Sequence, residues 1–136
     1  NSTYLGGTVF FRCQNGSASP YLSASLSPDT NWHHFVVTYN AGTRFIYIDG
    51  VQAATDTTGP ASMPATLGNA FKIGTDNSGG TNFTNGNMDE VAIFDYALSA
   101  RQIKQDIYEG TTTGKTADLN NISNLTAPVV WYRMGD

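Results

Sequence analysis

The sequence predicts an all-β fold: an antiparallel β-sandwich or jelly roll with one short helix. Short runs rich in Val, Ile, Tyr, Phe and Thr recur along the 136 residues, each bounded by turn residues. Their connections are short enough for hairpins. Only one segment combines helical spacing with a start and a stop signal.

Taken in order, "GTVFFRCQ" at 7–14 and "YLSASLS" at 21–27 read as the first strands, the second alternating apolar with small polar residues. "WHHFVVTYN", "TRFIYID" and "VQAAT" then form a meander over residues 32–55. Asn40-Ala41-Gly42 makes the first hairpin loop. Asp49-Gly50 makes the second, where a type I′ turn needs φ > 0 at both central residues. Residues 57–70 hold two prolines and two glycines with no period, which marks a loop. "FKIG" reads as a short strand, "TDNSGGTNFTNGN" at 75–87 as a long polar loop, and "MDEVAIFD" as another strand.

The helix is expected near residues 99–109. Ser99 and Gln102 make a capping box, Ile103 and Ile107 share a face, and Gly110 suits an αL stop. "TTTGKTADLNNISN" is linker-like, and "APVVWYRM" is a final strand pattern.

Composition excludes several classes. Charged residues are 13% of the chain and the net charge is −4, with no basic run, so nucleic acid is not an expected partner. No apolar run approaches the roughly 18–20 residues that span a bilayer, so no membrane insertion is expected. The single cysteine, Cys13, rules out an internal disulfide and reads as a small core residue. Five Asn-x-Ser/Thr sequons occur, at Asn1, Asn15, Asn82, Asn121 and Asn124.

Two blocks carry a family resemblance. "NWHHFVVTYNAGTRFIYIDGVQAAT" pairs a Trp-His-His strand, with Val37, Thr38 and Tyr39, with a strand ending Tyr47-x-Asp49-Gly50. "FKIGTDNSGGTNFTNGNMDEVAIFDYALSARQI" adds Ile73-Gly74, then Gly86, Asp89, Glu90 and Val91, then Ala97-Leu98-Ser99 and Ile103. Together they resemble the laminin-G-like, concanavalin A-like lectin/glucanase jelly-roll family over roughly residues 20–110. The family's usual first strands are not found ahead of these blocks, while "VVWYRMGD" resembles that first strand. Residues 1–110 are therefore expected to form the jelly-roll domain. Residues 111–136 are expected to form a linker plus a strand that closes this sandwich, pairs with a neighbouring chain, or begins a following repeat. "LNNISNLTAPVVWYRMGD" also resembles repeat junctions in large surface and bacteriophage structural proteins.

Asp89 and Glu90 are the chemically prominent pair. On a strand they face opposite ways, and the flanking positions Asn87 and Val91 lack the alternating acids that related glycosidases carry. No catalytic role is expected. The resemblance implies either a structural calcium near Asp89, with Asp136 as a partner carboxylate if the last strand takes the first strand's place and Asp76, Asn77, Asn85 and Asn87 as nearby loop oxygens, or an Asp89 that accepts backbone hydrogen bonds at the strand entry. Glu90 is expected to face solvent or to pair with Arg44 or Arg133. The adjacent His33 and His34 should diverge across the sheet, one half-buried with its N–H bonded and one exposed.

Ligand contacts are expected from the polar loop: Asp76, Asn77, Asn85 and Asn87 as hydroxyl partners, and Phe83 as an exposed ring. The function expected is a non-catalytic adhesion or carbohydrate-binding module, extracellular or at a cell or virion surface. Its partner would be a glycan or a cell-surface receptor. The alternatives are a purely structural fibre repeat that self-associates through the terminal strand, and a polysaccharide hydrolase.

Overall fold

A computed structural model describes residues 7–13, 20–27, 29–63, 72–74, 86–110 and 117–134. Among these residues seven strands pair in antiparallel fashion: β1 (Thr8–Phe11) with β2 (Leu22–Ser25), β3 (Phe35–Asn40) with β4 (Thr43–Ile48) and β4 with β5 (Val51–Asp56), and β6 (Val91–Ile93) with β7 (Val130–Tyr132). One helical segment, α1 (Gln102–Tyr108), precedes β7. The all-β antiparallel sandwich with one short helix is the fold class expected.

The meander forms because its turns fit. Ala41 and Gly42 lie at φ 44° and 92°, and Asp49 and Gly50 at 52° and 75°. Both hairpins thus turn through two positive-φ residues, whose twist matches that of the strands. β5 carries one residue more than β4 opposite it: Ile46 faces Ala54 while Tyr47 faces Gln52, so Ala53 is bulged out.

The three-stranded sheet is the middle layer. β4 buries both faces, and alternation sorts its side chains. Ile46 joins Leu22 and Ala24 in a core under the β1–β2 pair, with Val9, Phe11, Ile48 and Ala54 around it. Tyr47 joins Leu98, Ile103, Ile107 and Leu119 on the other face, with Phe45, Ala92 and Trp131 packed alongside. Each fully buried aliphatic chain contributes roughly 1.5–3 kcal/mol. Phe35 and Val37 stand opposite Ile48 and Ile46 on the β1–β2 face, yet are 46% and 45% exposed. Among the described residues they lie on an edge strand, while β2 packs over β4 and β5.

Arg44 is the unusual core residue. It is fully buried, its Nε donates to Asp56 Oδ1 at 2.8 Å, and Nη1 donates to the Pro20 carbonyl at 2.9 Å. Nη2 donates to Asp56 Oδ2 and to Thr58 Oγ1. The Arg44 hydrogen bonds hold the Asp56 carboxyl below its ordinary pKa. Arg44 therefore does not pair with Glu90. Cys13 is buried nearby, and burial raises its thiol pKa.

The helix starts as expected. Ser99 N–H donates to Gln102 Oε1 at 2.8 Å, and Gln102 N–H donates back to Ser99 Oγ at 3.3 Å. Ile103 and Ile107 face inward. Its end is a correction. The winding is π-type, closed by Glu109 N–H donating five residues back to the Lys104 carbonyl at 2.8 Å. Gly110 does not adopt positive φ; it follows the wider turn so closely that a Cβ there would strike the Asp106 carbonyl.

Two strand expectations are also corrected. Residues 72–74 of "FKIG" bend instead of extending, with Gly74 at φ 78°. "MDEVAIFD" yields only Val91–Ile93, because Glu90 sits at φ 54° and breaks the strand ahead of Val91. Among the described residues no helix is long and apolar enough to cross a membrane.

Candidate functional site

The Asp89–Glu90 pair sits at the start of β6, where β7 comes alongside. Asp89 Oδ1 accepts from the Glu90 N–H at 2.9 Å and from the Met134 N–H at 3.2 Å. This carboxylate thus ties the end of β7 to the start of β6. Glu90 turns elsewhere. Its Oε2 accepts from Trp131 Nε1 at 2.6 Å, and its Oε1 lies 3.6 Å from Arg133 Nε. The Arg133 guanidinium lies over the Trp131 ring, 4.7 Å from its centroid.

The expected separation of the two acids is thus present, but its reason is corrected. They do not alternate along a strand, since the strand begins after them. A left-handed residue and two different sets of partners divide them. Glu90 takes Arg133 as its ion partner, one of the two arginines expected, and its side chain is only 15% exposed.

Asp89 borders a shallow open cleft of about 490 Å³. Trp32, Asn87 and Met88 line it together with Asp89, and Ile73, Gly74, Gly86 and Met134 complete its walls. Trp32 is 68% exposed. A flat indole beside an amide and a carboxylate can stack on an apolar ring face and hydrogen-bond polar groups at its rim.

Among the sequence candidates, only Asn87 and Asp89 are thus placed together. Asp76, Asn77, Phe83, Asn85 and Asp136 lie outside the described residues. In the sequence Trp32 reads as part of a strand motif, and the motif does not mark its place in the cleft wall. The available signal was its position: it precedes the first residue of β3, where no neighbouring strand covers a ring.

Calcium takes six to eight oxygens. Asp89 and Asn87 alone do not supply such a shell, and Asp89 Oδ1 already holds two backbone amides. The other expected donors fall among the residues not described.

The histidines differ from expectation. Neither is exposed. His33 is gripped at both ring nitrogens, Nδ1 at 2.8 Å from Asp49 Oδ2 and Nε2 at 3.0 Å from Asp29 Oδ1. Hydrogen bonds to Asp49 and then to Asp29 raise the His33 pKa. Asp49 also accepts the His34 N–H at 2.9 Å. Burial raises the Asp49 pKa, but the hydrogen bonds outweigh it and leave the carboxyl below its ordinary value. The His34 ring stacks on Tyr108, 5.7 Å between centroids, and its Nδ1 is buried without a hydrogen-bond partner among the described residues. Burial lowers its pKa.

A laminin-G family model, described as the concanavalin A-like lectin/glucanases superfamily, matches residues 3–104. No curated protein matches the chain. Among solved structures, an S-layer domain-containing protein from Clostridium thermocellum (residues 221–444) is similar at 21% identity with a TM-score of 0.49. The alignment covers 73% of this chain and 62% of that one.

Proposed function

We propose, for a chain that belongs to the laminin-G-like family of the concanavalin A-like lectin/glucanases superfamily, a non-catalytic glycan-binding role at a cell, virion or other extracellular surface. The observation that carries this reading is the exposed Trp32 ring sharing a cleft with Asn87 and Asp89. The C–H face of a pyranose stacks on the indole, and the amide and carboxylate take its hydroxyls. A non-catalytic role is supported by the carboxylate inventory. Glycoside hydrolysis needs two carboxyl groups about 5–10 Å apart across one substrate. Among the described cleft residues Asp89 is the one acid, and Glu90 is committed to Trp131 and Arg133.

Calcium, with Asp89 and Asp136 as carboxylate ligands, is part of this proposal. Its test is a thermal melt with calcium and with chelator, read against Asp89→Asn. The glycan reading is tested by array and titration with the wild type and Trp32→Ala. Binding to one glycan class that falls at least about tenfold in the variant is the expected result, a loss of about 1.4 kcal/mol. Reducing-sugar release from any bound glycan would overturn the non-catalytic part.

A second reading is a structural repeat that self-associates. The apolar edge of β3, where Phe35 and Val37 stand exposed, favours it, and β7 offers a further edge. Sedimentation over a concentration range decides it: a monomer throughout would exclude self-association.

A further inference from the structure

We infer that the cleft selects an uncharged glycan and rejects uronates, sulfated sugars and sialylated chains. This rests on the glycan-binding reading of the same cleft and adds the charge class of the ligand.

An acidic sugar needs a cation within hydrogen-bond reach of its carboxylate or sulfate, with Arg favoured for its two-pronged geometry. The described cleft walls carry none. The chain has seven basic residues, and the described ones are engaged elsewhere. Arg44 is buried against Asp56. Arg12 lies over the Tyr21 ring at 4.9 Å. Arg101 pairs with Asp106 at 3.1 Å, and Lys104 lies 3.9 Å from Glu109. Arg133 lies over Trp131 beside Glu90. Lys72 is not free either, and Lys115 lies outside the described residues.

What the cleft offers is opposite in sign. Asp89 supplies a carboxylate with only acceptor oxygens, and a calcium ion held by Asp89 and Asp136 would have its double charge offset by those two carboxylates. Sugar hydroxyls donate to such oxygens, whereas an anionic sugar meets like charge at close range. Asn87 both donates and accepts, which suits a hydroxyl in either role. Trp32, Met88, Ile73 and Met134 give an apolar floor for C–H faces. The net charge of −4 adds a weak long-range repulsion toward polyanions.

The test is titration of the intact chain against neutral polysaccharides (a β-glucan, a mannan, a galactan) and acidic ones (polygalacturonate, heparin). Each is run with calcium and with chelator, at low and high salt. The expected result is binding confined to the neutral set, lost about tenfold or more in Trp32→Ala and changed less than about twofold by salt. Because Trp32 is largely exposed, that variant keeps the fold, which a thermal melt verifies. Salt-sensitive binding of an acidic glycan that Trp32→Ala abolishes would overturn the charge assignment and leave the glycan reading standing. Acidic binding that needs calcium and Trp32 would overturn it in the same way. Failure of every glycan would overturn both.

Discussion

Trp131 on β7 donates its indole N–H to the Glu90 carboxylate across 2.6 Å, locking the last described strand to the residue that introduces β6. The bond holds a charged group that is largely shielded from solvent. Removing its partner leaves that charge without its donor. Glu90→Ala is expected to destabilise the protein by about 1–3 kcal/mol in urea denaturation. Glu90 also sits at φ 54°. Glu90→Gly should therefore be less damaging than Glu90→Ala by about 1 kcal/mol, although both lose the bond. Equal losses would show that the backbone carries no strain there.

Arg44 makes a second prediction. Truncating one member of a buried pair strands the other, at about 3–5 kcal/mol. Arg44→Ala should fall in that range in chemical denaturation. Asp56→Asn should fall there too, because the amide offers one acceptor where the carboxylate offers two and leaves the buried guanidinium charge uncompensated. If Arg44→Met proves neutral, the pair contributes little beyond the volume it fills.

The two histidines predict opposite pH slopes. His33 has a raised pKa when folded, so its stabilisation is complete below the ordinary value of 6.5 and is lost as pH climbs through the folded value. His34 has a lowered pKa when folded, so it favours the folded state above 6.5 and opposes it as pH falls toward the folded value. Over this range stability should peak near pH 6.5. In pH-resolved melts, His33→Asn should flatten the decline on the alkaline side, and His34→Phe the decline on the acid side. A profile that either variant leaves unchanged would clear that histidine of the effect.

Docking of α1 gives a fourth test. Ile103 is fully buried between α1 and the middle sheet, so Ile103→Ala should cost about 2–5 kcal/mol. Gly50, at φ 75°, lies under the Tyr108 ring, where an added Cβ would come within 2.9 Å. Gly50→Ala should destabilise through both strain and contact, and Tyr108→Ala should recover only the contact part. Full recovery in the double variant would mean that the turn itself is unstrained.

The meander and the capping box were legible because they depend on local rules. Asp49-Gly50 dictates its turn whatever surrounds it, and Ser99 with Gln102 satisfies its own backbone. Burial of Cys13 followed from its residue type beside an apolar run, and the inward pair Ile103 and Ile107 from apolar spacing. The β6 region was misread because Glu90 is a non-glycine residue in the left-handed region, which no pattern announces. Its stabilising partners, Trp131 and Arg133, are some forty residues away in sequence. The same distance problem hid the cleft. Trp32 meets Asn87 and Asp89 only once the sheets are stacked, and five of the residues expected to join them are not among those described.

The two-sided burial of β4 has a consequence for the order in which the molecule comes apart. Its amides are hydrogen-bonded to β3 on one edge and β5 on the other, while its side chains belong to both hydrophobic clusters. Detaching the β1–β2 pair bares Ile46 and leaves Tyr47 covered; detaching α1 and the β6–β7 pair does the reverse. Neither event alone frees the strand. β4 is thus the keel of the molecule, expected to be the last of the described strands to exchange its amide protons, since either flank can open while the other still holds it.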